Sequence, residues 1–503
     1  MKKKGVISAG DRLTAKAGEW ILEQGGNAYD AMIACLLAAP LCEPILTSLG
    51  GGGFMLSAKK GRKPKIYDFF VDVPSNKTNK NIEFYPIEVD FGTTTQEFHI
   101  GCGSIAIPGV VKGIWKIYSD LASLPFETLI KPAYEYATKG IYLSKTQADF
   151  LKLLEPIFLS TKSSRELYSK DGKLIDEKSL FINPQYGEFL KEFAKKGEKF
   201  FYEGEVADAI EKMCSEHNGF LDKKELSSYE VKIREPITFD FEGYKIFTNP
   251  PPSSGGILIA FSLMLLENEE LGGFLSKDHL SKLIESQEVT SDFRKEYINE
   301  FLHKNNLQDI LKDDALISSF KDKMKKRVNL WGNTTHISII DKDGNGASTT
   351  TTNGEGCGYV IPKYGIMLNN MLGEEDLNPH GFFKWKSGIR LPSMMSPTAV
   401  FKGDDLSLLL GSAGSNRIRS AILQVILNYL KFGKNIQDAI DAPRVHFERG
   451  ELFCEPGIEL NQDLYPLKRF DELNLFFGGV QAVTGDFEGG ADPRRGACVV
   501  YQI

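Results

Sequence analysis

Apolar and polar residues alternate along the chain with spacings that predict helices first and strands later. An N-cap at Asp11 and a closing pair of glycines predict a first helix ending at Glu23, and a second, almost wholly apolar helix follows from Tyr29 to Ala39. Most of the stretch 110–230 repeats apolar residues at three-to-four spacing, as from Tyr186 to Phe201. Lysine and glutamate fill the positions between, so this charge indicates a solvated helix face.

Two stretches rich in turn residues interrupt these segments. Ser48 to Phe54 contains four consecutive glycines, but it lacks the Gly-Lys-Ser/Thr of a phosphate-binding loop. We interpret it as a tight passage of the backbone beside the core or a site. Asn249 to Gly256 combines three prolines with Ser-Ser-Gly-Gly, which predicts a rigid turn into the apolar helix Ile257 to Leu266. A basic stretch from Lys321 to Arg327 reads as an exposed loop.

From Thr334 onward the chain becomes rich in Thr, Ser and Gly among alternating apolar residues, and a β-hairpin is predicted. Its turn contains Asp-Gly and is centred on Asp343. Antiparallel pairing about this centre places Thr334 opposite Thr352 at the open end, unless a bulge shifts the register by one residue. On this pattern alone the two hydroxyls fit an ordinary strand surface.

The turn of the hairpin also resembles part of a calcium-binding loop. Asp341, Asp343, Asn345 and Gly346 have the spacing of such a loop. The twelfth position is Thr352, whereas calcium loops place a bidentate glutamate there. The set of ligands is incomplete, so a plain turn is favoured and no metal site is predicted.

Composition and charge narrow the class of protein. The 503 residues are 42% hydrophobic and 25% charged, which is ordinary for a globular protein and excludes wholesale disorder. A formal net charge of -7 makes a nucleic-acid or anionic-membrane partner a poor fit. The seven cysteines are scattered without a CxxC pair, which favours free thiols in a reducing compartment. The longest apolar run, Ala31 to Cys42, is too short to span a bilayer, and the basic N-terminus has no apolar segment behind it, so we expect a cytoplasmic protein.

Motifs spread over nearly the whole chain resemble the gamma-glutamyltransferase (gamma-glutamyl transpeptidase) family of N-terminal-nucleophile hydrolases. They are GGNAYDAMIACLLAAPLCEPILTSLGGGGFML (Gly25 to Leu56), IPGVVKG (Ile107 to Gly113), NPPPSSGG (Asn249 to Gly256), TTHISIIDKDGNGASTTTT (Thr334 to Thr352), GIMLNN (Gly365 to Asn370), MSPT (Met395 to Thr398), GSAGSNRI (Gly411 to Ile418), DAPRVH (Asp441 to His446) and ADPRRGA (Ala491 to Ala497). Each motif alone is weak, but their shared order along the chain is a strong signal.

The resemblance implies an α+β protein with the four-layer αββα sandwich of these hydrolases, made as an inactive precursor that cuts itself. The matching bond is Asn333–Thr334, which gives a large chain, 1–333, and a small chain, 334–503, that stay associated in one αββα unit. The family's nucleophile maps to Thr334 and its supporting threonine to Thr352. The second assignment agrees with the pairing predicted independently for the hairpin.

The chemistry suits these residues. Cleavage before Thr334 creates an α-amine beside the hydroxyl, and an α-amine has a pKa of about 7.7–8.0, so it can accept the hydroxyl proton near neutral pH. The developing oxyanion also needs hydrogen-bond donors. Gly414 and Ser415 precede a helical run whose apolar face includes Ile418, so their N–H groups are predicted to lie at a helix N-terminus, where anions are stabilised. The family has Gly at the position of Ser415.

Several positions depart from the family pattern for binding a γ-glutamyl group. The arginine of a DFRE-type motif is replaced by Phe70, which cannot pair with a carboxylate. Of two neighbouring serines, Ser393 remains and the other position is Met394. Both Phe70 and Met394 also fit simple core packing.

The remaining substrate-binding candidates are assigned with some freedom in the alignment. The family's Asn after the second threonine maps to Gly354 or, with a shift, to Asn353. A family acidic residue maps to Glu374, or to Glu375 with a one-residue shift, and a neighbouring Gln/Glu position carries Met371. Arg390 is an available replacement cation.

Three functions follow as hypotheses. The first is a self-cleaving γ-glutamyl transferase or hydrolase that acts on glutathione or a related amide through a Thr334 ester, with water or an amino acid as acceptor and no cofactor. The second is an amidase or acylase with the same chemistry and a less charged substrate. The third is an unprocessed structural or binding relative, which the intact pair Thr334 and Thr352 argues against.

Overall fold

The computed structural model describes residues 3–59, 61–75, 81–90, 95–298, 302–303, 307–321, 334–448, 450–460 and 465–503. The α-helices of this part are α1 Arg12–Glu23, α2 Ala28–Cys42, α3 Val110–Leu121, α4 Phe126–Leu129, α5 Lys131–Lys139, α6 Lys145–Leu153, α7 Glu155–Phe158, α8 Lys162–Tyr168, α9 Pro184–Lys196, α10 Lys199–Tyr202, α11 Glu205–Glu216, α12 Lys223–Ser228, α13 Gly255–Leu266, α14 Lys277–Phe293, α15 Asp314–Lys321, α16 Arg417–Leu430 and α17 Ile436–Asp441.

Strands occupy the same described ranges. They are β1 Gly5–Ala9, β2 Gly52–Ala58, β3 Lys65–Phe69, β4 Tyr85–Asp90, β5 Thr95–Ile100, β6 Ile141–Tyr142, β7 Ser169–Lys170, β8 Lys173–Leu174, β9 Leu180–Phe181, β10 Lys232–Arg234, β11 Ile237–Phe241, β12 Tyr244–Thr248, β13 Thr335–Ile340, β14 Gly346–Thr352, β15 Val360–Ile361, β16 Ile366–Met367, β17 Thr398–Lys402, β18 Asp405–Ala413, β19 Val445–Glu448, β20 Glu451–Cys454, β21 Leu467–Arg469, β22 Gly479–Thr484, β23 Gly489–Ala491 and β24 Cys498–Gln502.

The first helices follow their local sequence signals. The Asp11 side chain accepts a hydrogen bond from Leu13 N at 2.7 Å and caps α1, as predicted. The apolar helix α13 begins two residues before the predicted Ile257. The predicted helix from Tyr186 to Phe201 is divided into α9 and α10 at Gly197, whose φ of +69° ends the first helix. Of the predicted basic loop, Lys321 ends α15 and residues 322–327 lie outside the described part of the chain.

Two antiparallel sheets form the centre of the molecule. Within the described residues, one sheet has the strand order β10-β3-β2-β14-β13-β1-β24 and the other the order β11-β12-β17-β18-β22-β23. Strands β13 and β14 contact β18 of the other sheet, so the two sheets pack against each other. Helix α2 contacts β13 and β14, and helix α16 contacts β18 and β22. The protein is therefore a mixed helix-and-sheet structure.

Alternate residues of the central strands face different cores, as the two-residue period of a strand requires. In β2, Met55 belongs to the core that includes α1 and α2, whereas Phe54 and Leu56 belong to the core that also contains α13 and α16. These strands are buried on both faces. Burial on both faces holds the β13–β14 hairpin in a fixed register.

The hairpin has the predicted register. Thr335 pairs with Thr351 and Ile340 with Gly346, without a bulge, so the pairing is centred on Asp343. The Asp341 carboxylate accepts hydrogen bonds from the backbone N–H groups of Asp343 and Asn345, at 2.9 and 3.0 Å. The carboxylate of Asp341 thus closes the turn.

Within the described residues, no helix combines the length and the apolar character that crossing a bilayer requires. The cytoplasmic location stays a prediction from the sequence.

Candidate active site

Thr334 and Thr352 line one pocket at the open end of the hairpin. Thr334 directly precedes β13, and Thr352 is the last residue of β14. The pocket is narrow, with a cavity volume of about 40 Å³, and opens to solvent. The threonine side chains are nearly buried, with Thr334 5% and Thr352 7% exposed. Continuing the register of the hairpin by one residue sets the two against each other, as the sequence predicts.

The glycine run next to the pocket lets β2 approach β14. Thr352 pairs with Gly52 in the sheet. A Cβ on Gly51 would collide with the carbonyl oxygen of Thr352. The tight backbone passage that the sequence predicts therefore lies directly beside Thr352.

A second glycine shapes the other side of Thr352. The Gly354 N–H donates to Thr352 Oγ1 at 3.0 Å. Gly354 has φ +63°, and a Cβ there would overlap Asn370 Oδ1 and Glu374 Oε1. Only glycine fits this position, and its N–H orients the hydroxyl of Thr352.

A buried carboxyl holds the start of β13 from the face opposite the pocket. Thr335 Oγ1 donates to Glu43 Oε2 at 2.5 Å, and Thr14 Oγ1 donates to Glu43 Oε1 at 2.7 Å. Burial, reinforced by the nearby Asp11 carboxyl, raises the pKa of Glu43 to about 7, although both hydrogen bonds oppose the shift. Glu43 thus fixes the residue that follows Thr334.

A buried histidine ties β13 to β14 further along the hairpin. The His336 ring nitrogens lie 2.8 Å from Thr350 Oγ1 and 2.9 Å from Ser338 Oγ. Burial lowers the pKa of His336 to about 3, so the ring is neutral at physiological pH. Gly411 of the facing sheet leaves room for this ring, since a Cβ there would overlap it. The network positions the hairpin and is not part of the pocket wall.

The pocket also receives the N-terminus of helix α16. Gly414 and Ser415 precede this helix with φ of +116° and +49°. Their carbonyl groups accept the first helical hydrogen bonds, from Arg417 N at 3.0 Å and Ile418 N at 3.1 Å. Ser415 lines the pocket together with Thr334. The start of α16 therefore borders the pocket that contains Thr334, and the backbone N–H groups of a helix start favour anions.

Polar side chains surround this helix start. Ser415 Oγ donates a short hydrogen bond to Asp376 Oδ2, and Asn416 Nδ2 donates to Asp376 Oδ1 at 3.1 Å. Arg294 Nη1 donates to Asn416 Oδ1 at 2.8 Å. Burial is the main cause that raises the pKa of Asp376, and the Glu448 carboxylate adds to it. The hydrogen bond from Ser415 and the charges of Arg294 and Arg417 oppose this shift.

Glu374 supplies a second carboxyl to the pocket wall. Within the described residues, its Oε1 is buried without a hydrogen-bond partner. Burial, with the neighbouring carboxyls of Glu355 and Asp376, raises the pKa of Glu374 well above its ordinary value. A cationic group bound beside Glu374 would reverse this effect and favour the ionised carboxylate.

The opposite wall is largely apolar. Phe70, Met394 and Met395 line the pocket, and the Phe70 ring stacks on Phe54 with 5.4 Å between centroids. Ser393 also lines the pocket, and its Oγ accepts a hydrogen bond from Met395 N at 3.0 Å. The position where the family places an arginine is therefore part of this apolar wall.

The predicted site residues fall into three groups. Thr334, Thr352, Ser393, Glu374 and Ser415 line the pocket together, with Gly414 adjacent to Ser415. Two others lie elsewhere, and Asn333, the predicted cleavage residue, is outside the described part of the chain.

Asn353 and Arg390 are not brought to the pocket. Asn353 Nδ2 points to the carbonyl oxygen of Leu368, at 3.4 Å. The Arg390 guanidinium donates to the carboxylates of Asp68 and Asp72, each at 2.6 Å, and packs on the ring of Tyr229. Arg390 joins the end of β3 to the following loop, so it does not replace the missing family arginine.

Four residues near Thr334 were not predicted from the sequence. Arg294, Asp376 and Asn416 line the pocket. Glu43 accepts a hydrogen bond from Thr335, the residue that follows Thr334. Asn416 lies in the GSAGSNRI motif, and Asp376 follows two acidic residues that were considered. Arg294 has no local signal, because it is one of many charged residues in a helical stretch.

Comparison with known proteins adds to this geometry. The sequence model of the family described as gamma-glutamyltranspeptidase matches residues 14–501. The chain belongs to the gamma-glutamyltranspeptidase family. It is accordingly an enzyme of the gamma-glutamyltransferase type, rather than a non-catalytic binding relative.

Individual members of this family differ in the activities that their names record. The chain is 28% identical to the glutathione hydrolase proenzyme of Escherichia coli (strain K12), over 98% of this chain and 90% of that protein. It is also 28% identical to the Acylase ACY 1 proenzyme of Pseudomonas sp. (strain V22), over 90% of this chain and 84% of that protein. The solved cephalosporin acylase from Bacillus halodurans has the same fold, with a TM-score of 0.85 and 23% identity over 99% of this chain and 96% of that one.

Proposed function

We propose that the protein is a self-cleaving γ-glutamyl transferase or hydrolase. It cuts its own Asn333–Thr334 bond and then transfers a γ-glutamyl group from glutathione or a related amide to water or an amino acid. The observation that carries the proposal is the meeting of Thr334, Thr352 and the start of α16 in one pocket. Several family members with known sequences are named as proenzymes of glutathione hydrolase, which supports both parts of the proposal.

The reaction begins with a proton transfer within one residue. The free α-amine of Thr334 takes the proton of Thr334 Oγ1 as this oxygen attacks the γ-carbonyl carbon of the substrate. The ammonium then protonates the leaving amine as its C–N bond breaks, and a γ-glutamyl ester remains on Thr334. Water or an amino acid's amine attacks the ester, the Thr334 amine removes its proton, and Thr334 Oγ1 leaves as a hydroxyl.

The surrounding groups stabilise this sequence of steps. The backbone N–H groups at Gly414 and Ser415 would hold the oxyanion, and the loss of one such donor typically raises the barrier by about 2.7–4 kcal/mol. Thr352 Oγ1, which accepts from Gly354 N, can donate its own proton toward Thr334. Before cleavage the nitrogen of Thr334 is an amide without useful basicity, so the uncut chain is inactive.

The four-layer αββα arrangement and the division into chains 1–333 and 334–503 belong to this proposal. The contacts of α2 with one sheet, of α16 with the other, and of the two sheets with each other support it.

Substitution of Thr334 tests the proposal. Thr334→Ala removes the hydroxyl that attacks both the Asn333 carbonyl and the substrate, so it should abolish both processing and turnover. Thr351→Ala is a matched control, because this neighbouring threonine of β14 bonds Gly52 O at 3.1 Å and does not line the pocket. Intact mass and hydrolysis of γ-glutamyl-p-nitroanilide are the measurements. Processing retained in Thr334→Ala would refute the assigned nucleophile.

An N-terminal-threonine acylase with a less charged substrate is the second candidate. Phe70 and Met394 on the pocket wall favour it, because neither can bind a carboxylate. The relative named Acylase ACY 1 proenzyme has the same percent identity to this chain as the glutathione hydrolase of Escherichia coli, over a shorter aligned length.

The two candidates are separated by the choice of acyl group. If the mature protein hydrolyses butyryl-p-nitroanilide much faster than γ-glutamyl-p-nitroanilide, and Phe70→Arg raises activity on the latter, the acylase is correct. Faster turnover of the γ-glutamyl compound by the unchanged protein supports the first candidate.

A further inference from the structure

A buried arginine lies against the loop that leads into α16. Arg495 is 3% exposed, and a Cβ on Gly414 would meet its Nη2 at 3.3 Å. We infer that Arg495 is a positioning residue for acyl transfer, whose buried charge stabilises the oxyanion held by the N–H groups of Gly414 and Ser415. The inference rests on the proposed function, because it assumes a threonyl ester, but it holds for either acyl group.

The backbone of Arg495 is fixed by a turn of 3-10 helix, Pro493–Arg495. The Asp492 carboxylate caps this turn by accepting from Arg494 N at 3.0 Å. The same carboxylate accepts from Val480 N at 2.8 Å, so the turn is attached to strand β22. Strand β22 pairs with β18, which ends one residue before Gly414. One sheet therefore holds both the turn and the loop, and it sets the distance between them.

Glycine residues leave room for the side chain of Arg495. A Cβ on Gly479 would lie 2.5 Å from Arg495 Cδ, just as a Cβ on Gly414 would crowd Nη2. The guanidinium therefore lies against Gly414 and away from solvent. Its Nη2 donates to Leu475 O at 3.4 Å, and within the described residues Nε and Nη1 are buried without a hydrogen-bond partner.

The charge of this guanidinium is only partly balanced. Burial lowers the pKa of Arg495 to about 10; Asp492 opposes the shift and Arg417 adds to it. Arg495 is therefore still charged near neutral pH. Its nearest acid, Asp492, already accepts a hydrogen bond from Arg444 at 2.7 Å. Negative charge that develops beside Gly414 would offset part of the cost of burying this cation.

The oxyanion distinguishes the transition state from the bound substrate. A fixed charge near it stabilises mainly the transition state, because the carbonyl group of the substrate carries no net charge before attack. Loss of the Arg495 charge should therefore lower kcat and leave KM nearly unchanged. A role in packing alone would depend on the shape of the side chain and not on its charge.

Three variants separate charge from shape. Arg495→Met keeps much of the side-chain length and removes the charge, whereas Arg495→Lys keeps the charge without the guanidinium. Arg469→Met is the matched control, because Arg469 is exposed, also follows the proposed cleavage point and is outside the pocket lining. kcat and KM are measured with whichever of γ-glutamyl- and butyryl-p-nitroanilide the wild-type protein hydrolyses faster.

Two inhibitors report on the charged and the neutral state of the reaction. When butylboronic acid binds, its boron accepts Thr334 Oγ1, the hydroxyl proton passes to the Thr334 α-amine, and the boron becomes a tetrahedral anion. Butyramide has a similar chain and no charge, so it imitates a substrate before attack. The inhibition constants of both compounds are measured with each protein.

The expected result depends on charge. Arg495→Met should lower kcat, and weaken inhibition by butylboronic acid, by about ten- to a hundred-fold, with KM and inhibition by butyramide nearly unchanged. Arg495→Lys should recover part of both losses, and Arg469→Met should match the wild type throughout. Equal losses in Arg495→Met and Arg495→Lys would overturn the inference, and so would an equal weakening of both inhibitors.

The controls distinguish this inference from the proposed function. A wild-type protein that is cut and active, with Arg495→Met equally active, refutes the inference alone. A wild-type protein that hydrolyses only the butyryl compound refutes the γ-glutamyl substrate, and the comparison at Arg495 still decides the inference. A wild-type protein that remains uncut and does not bind butylboronic acid refutes both.

Self-cleavage provides a second readout if Arg495→Met is folded but not fully cut. The oxyanion formed from the Asn333 carbonyl would use the same donors at Gly414 and Ser415. Intact mass over time gives the rate of cleavage in each variant that has the circular dichroism of the wild type. Slower cleavage in Arg495→Met than in Arg495→Lys supports the inference, and equal rates overturn it. Arg495→Gln replaces Arg495→Met in every comparison if the latter does not fold.

Discussion

Ser415 occupies a backbone conformation that glycine normally takes. Its φ of +49° is left-handed, which costs a residue with a Cβ about 1–2 kcal/mol. Its hydroxyl gains a hydrogen bond to the half-buried Asp376 in return. A glycine, which the family has at this position, would avoid the backbone strain but would lack the hydrogen bond to Asp376. Serine accepts the strain, makes that hydrogen bond and keeps its backbone N–H.

The backbone strain at Ser415 predicts which of two variants at this position is the more stable. Ser415→Ala keeps the left-handed backbone and loses the bond to Asp376, so it should lower the free energy of unfolding by about 1–3 kcal/mol. Ser415→Gly loses the same bond and relieves the strain, so it should be about 1 kcal/mol more stable than Ser415→Ala. Thermal or chemical unfolding of both variants measures this. A glycine variant less stable than the alanine one would contradict the account.

Glu43 predicts a pH dependence of stability. Its folded pKa of about 7 lies above the ordinary 4.5, so the fold favours the protonated form. The contribution of this group is therefore complete below about pH 4.5 and is lost as the pH rises to about 7, a change of about 3 kcal/mol. Glutamine cannot ionise, so Glu43→Gln does not lose this contribution. Its free energy of unfolding relative to that of the wild type should therefore rise between about pH 4.5 and pH 7.

Unfolding at pH 5 and pH 8 checks this difference. Glu23→Gln, at an exposed position of α1, is the control and should run parallel to the wild type. A Glu43→Gln variant that also runs parallel to the wild type would show that the buried carboxyl does not titrate in this range.

At the scale of elements, short sequence patterns predict those helices and turns whose stabilising hydrogen bonds lie within a few residues. The cap at Asp11 and the Asp-Gly turn at Asp343 are sufficient for α1 and for the register of the hairpin, because their hydrogen bonds lie within a few residues. Arg294 and Asp376 line the same pocket as Thr334 only because of the tertiary packing of α14 and of the loop after Met371. Nothing within a few residues of Arg294 indicates that direction, and beside Asp376 the motif comparison indicated Glu374 or Glu375 instead. The same reason explains the error at Arg390, whose partners lie more than 300 positions away in sequence.

The contact between β2 and β14 is an element-scale feature that a single methyl group tests. Gly51→Ala would press a Cβ onto Thr352 O, so β2 must move away from the strand that bears Thr352. Overpacking of this kind typically destabilises by about 1–3 kcal/mol. We expect a lower melting temperature and a loss of amide hydrolysis together.

Gly273→Ala is the matched control for this variant, because a Cβ there would meet nothing within 4 Å. Its melting temperature and activity should equal those of the wild type. Normal activity in Gly51→Ala would contradict the close approach beside Thr352.

At the scale of the whole molecule, the two proposed chains are interleaved. In the sheet β10-β3-β2-β14-β13-β1-β24, strand β1 precedes the cleavage point but lies between β13 and β24, which follow it. Residues 5–9 pair with β13 on one side and with β24 on the other. After cleavage the two chains would share this sheet and could not separate without breaking it.

Intact mass spectrometry tests the central claim most directly. Under denaturing conditions the purified wild-type protein should give two species, the smaller beginning at Thr334 and ending at Ile503, while native conditions should give their complex. Thr334→Ala should give one species of 56.1 kDa under both conditions. A wild-type protein that hydrolyses amides and yet remains a single species of 56.1 kDa would contradict the account.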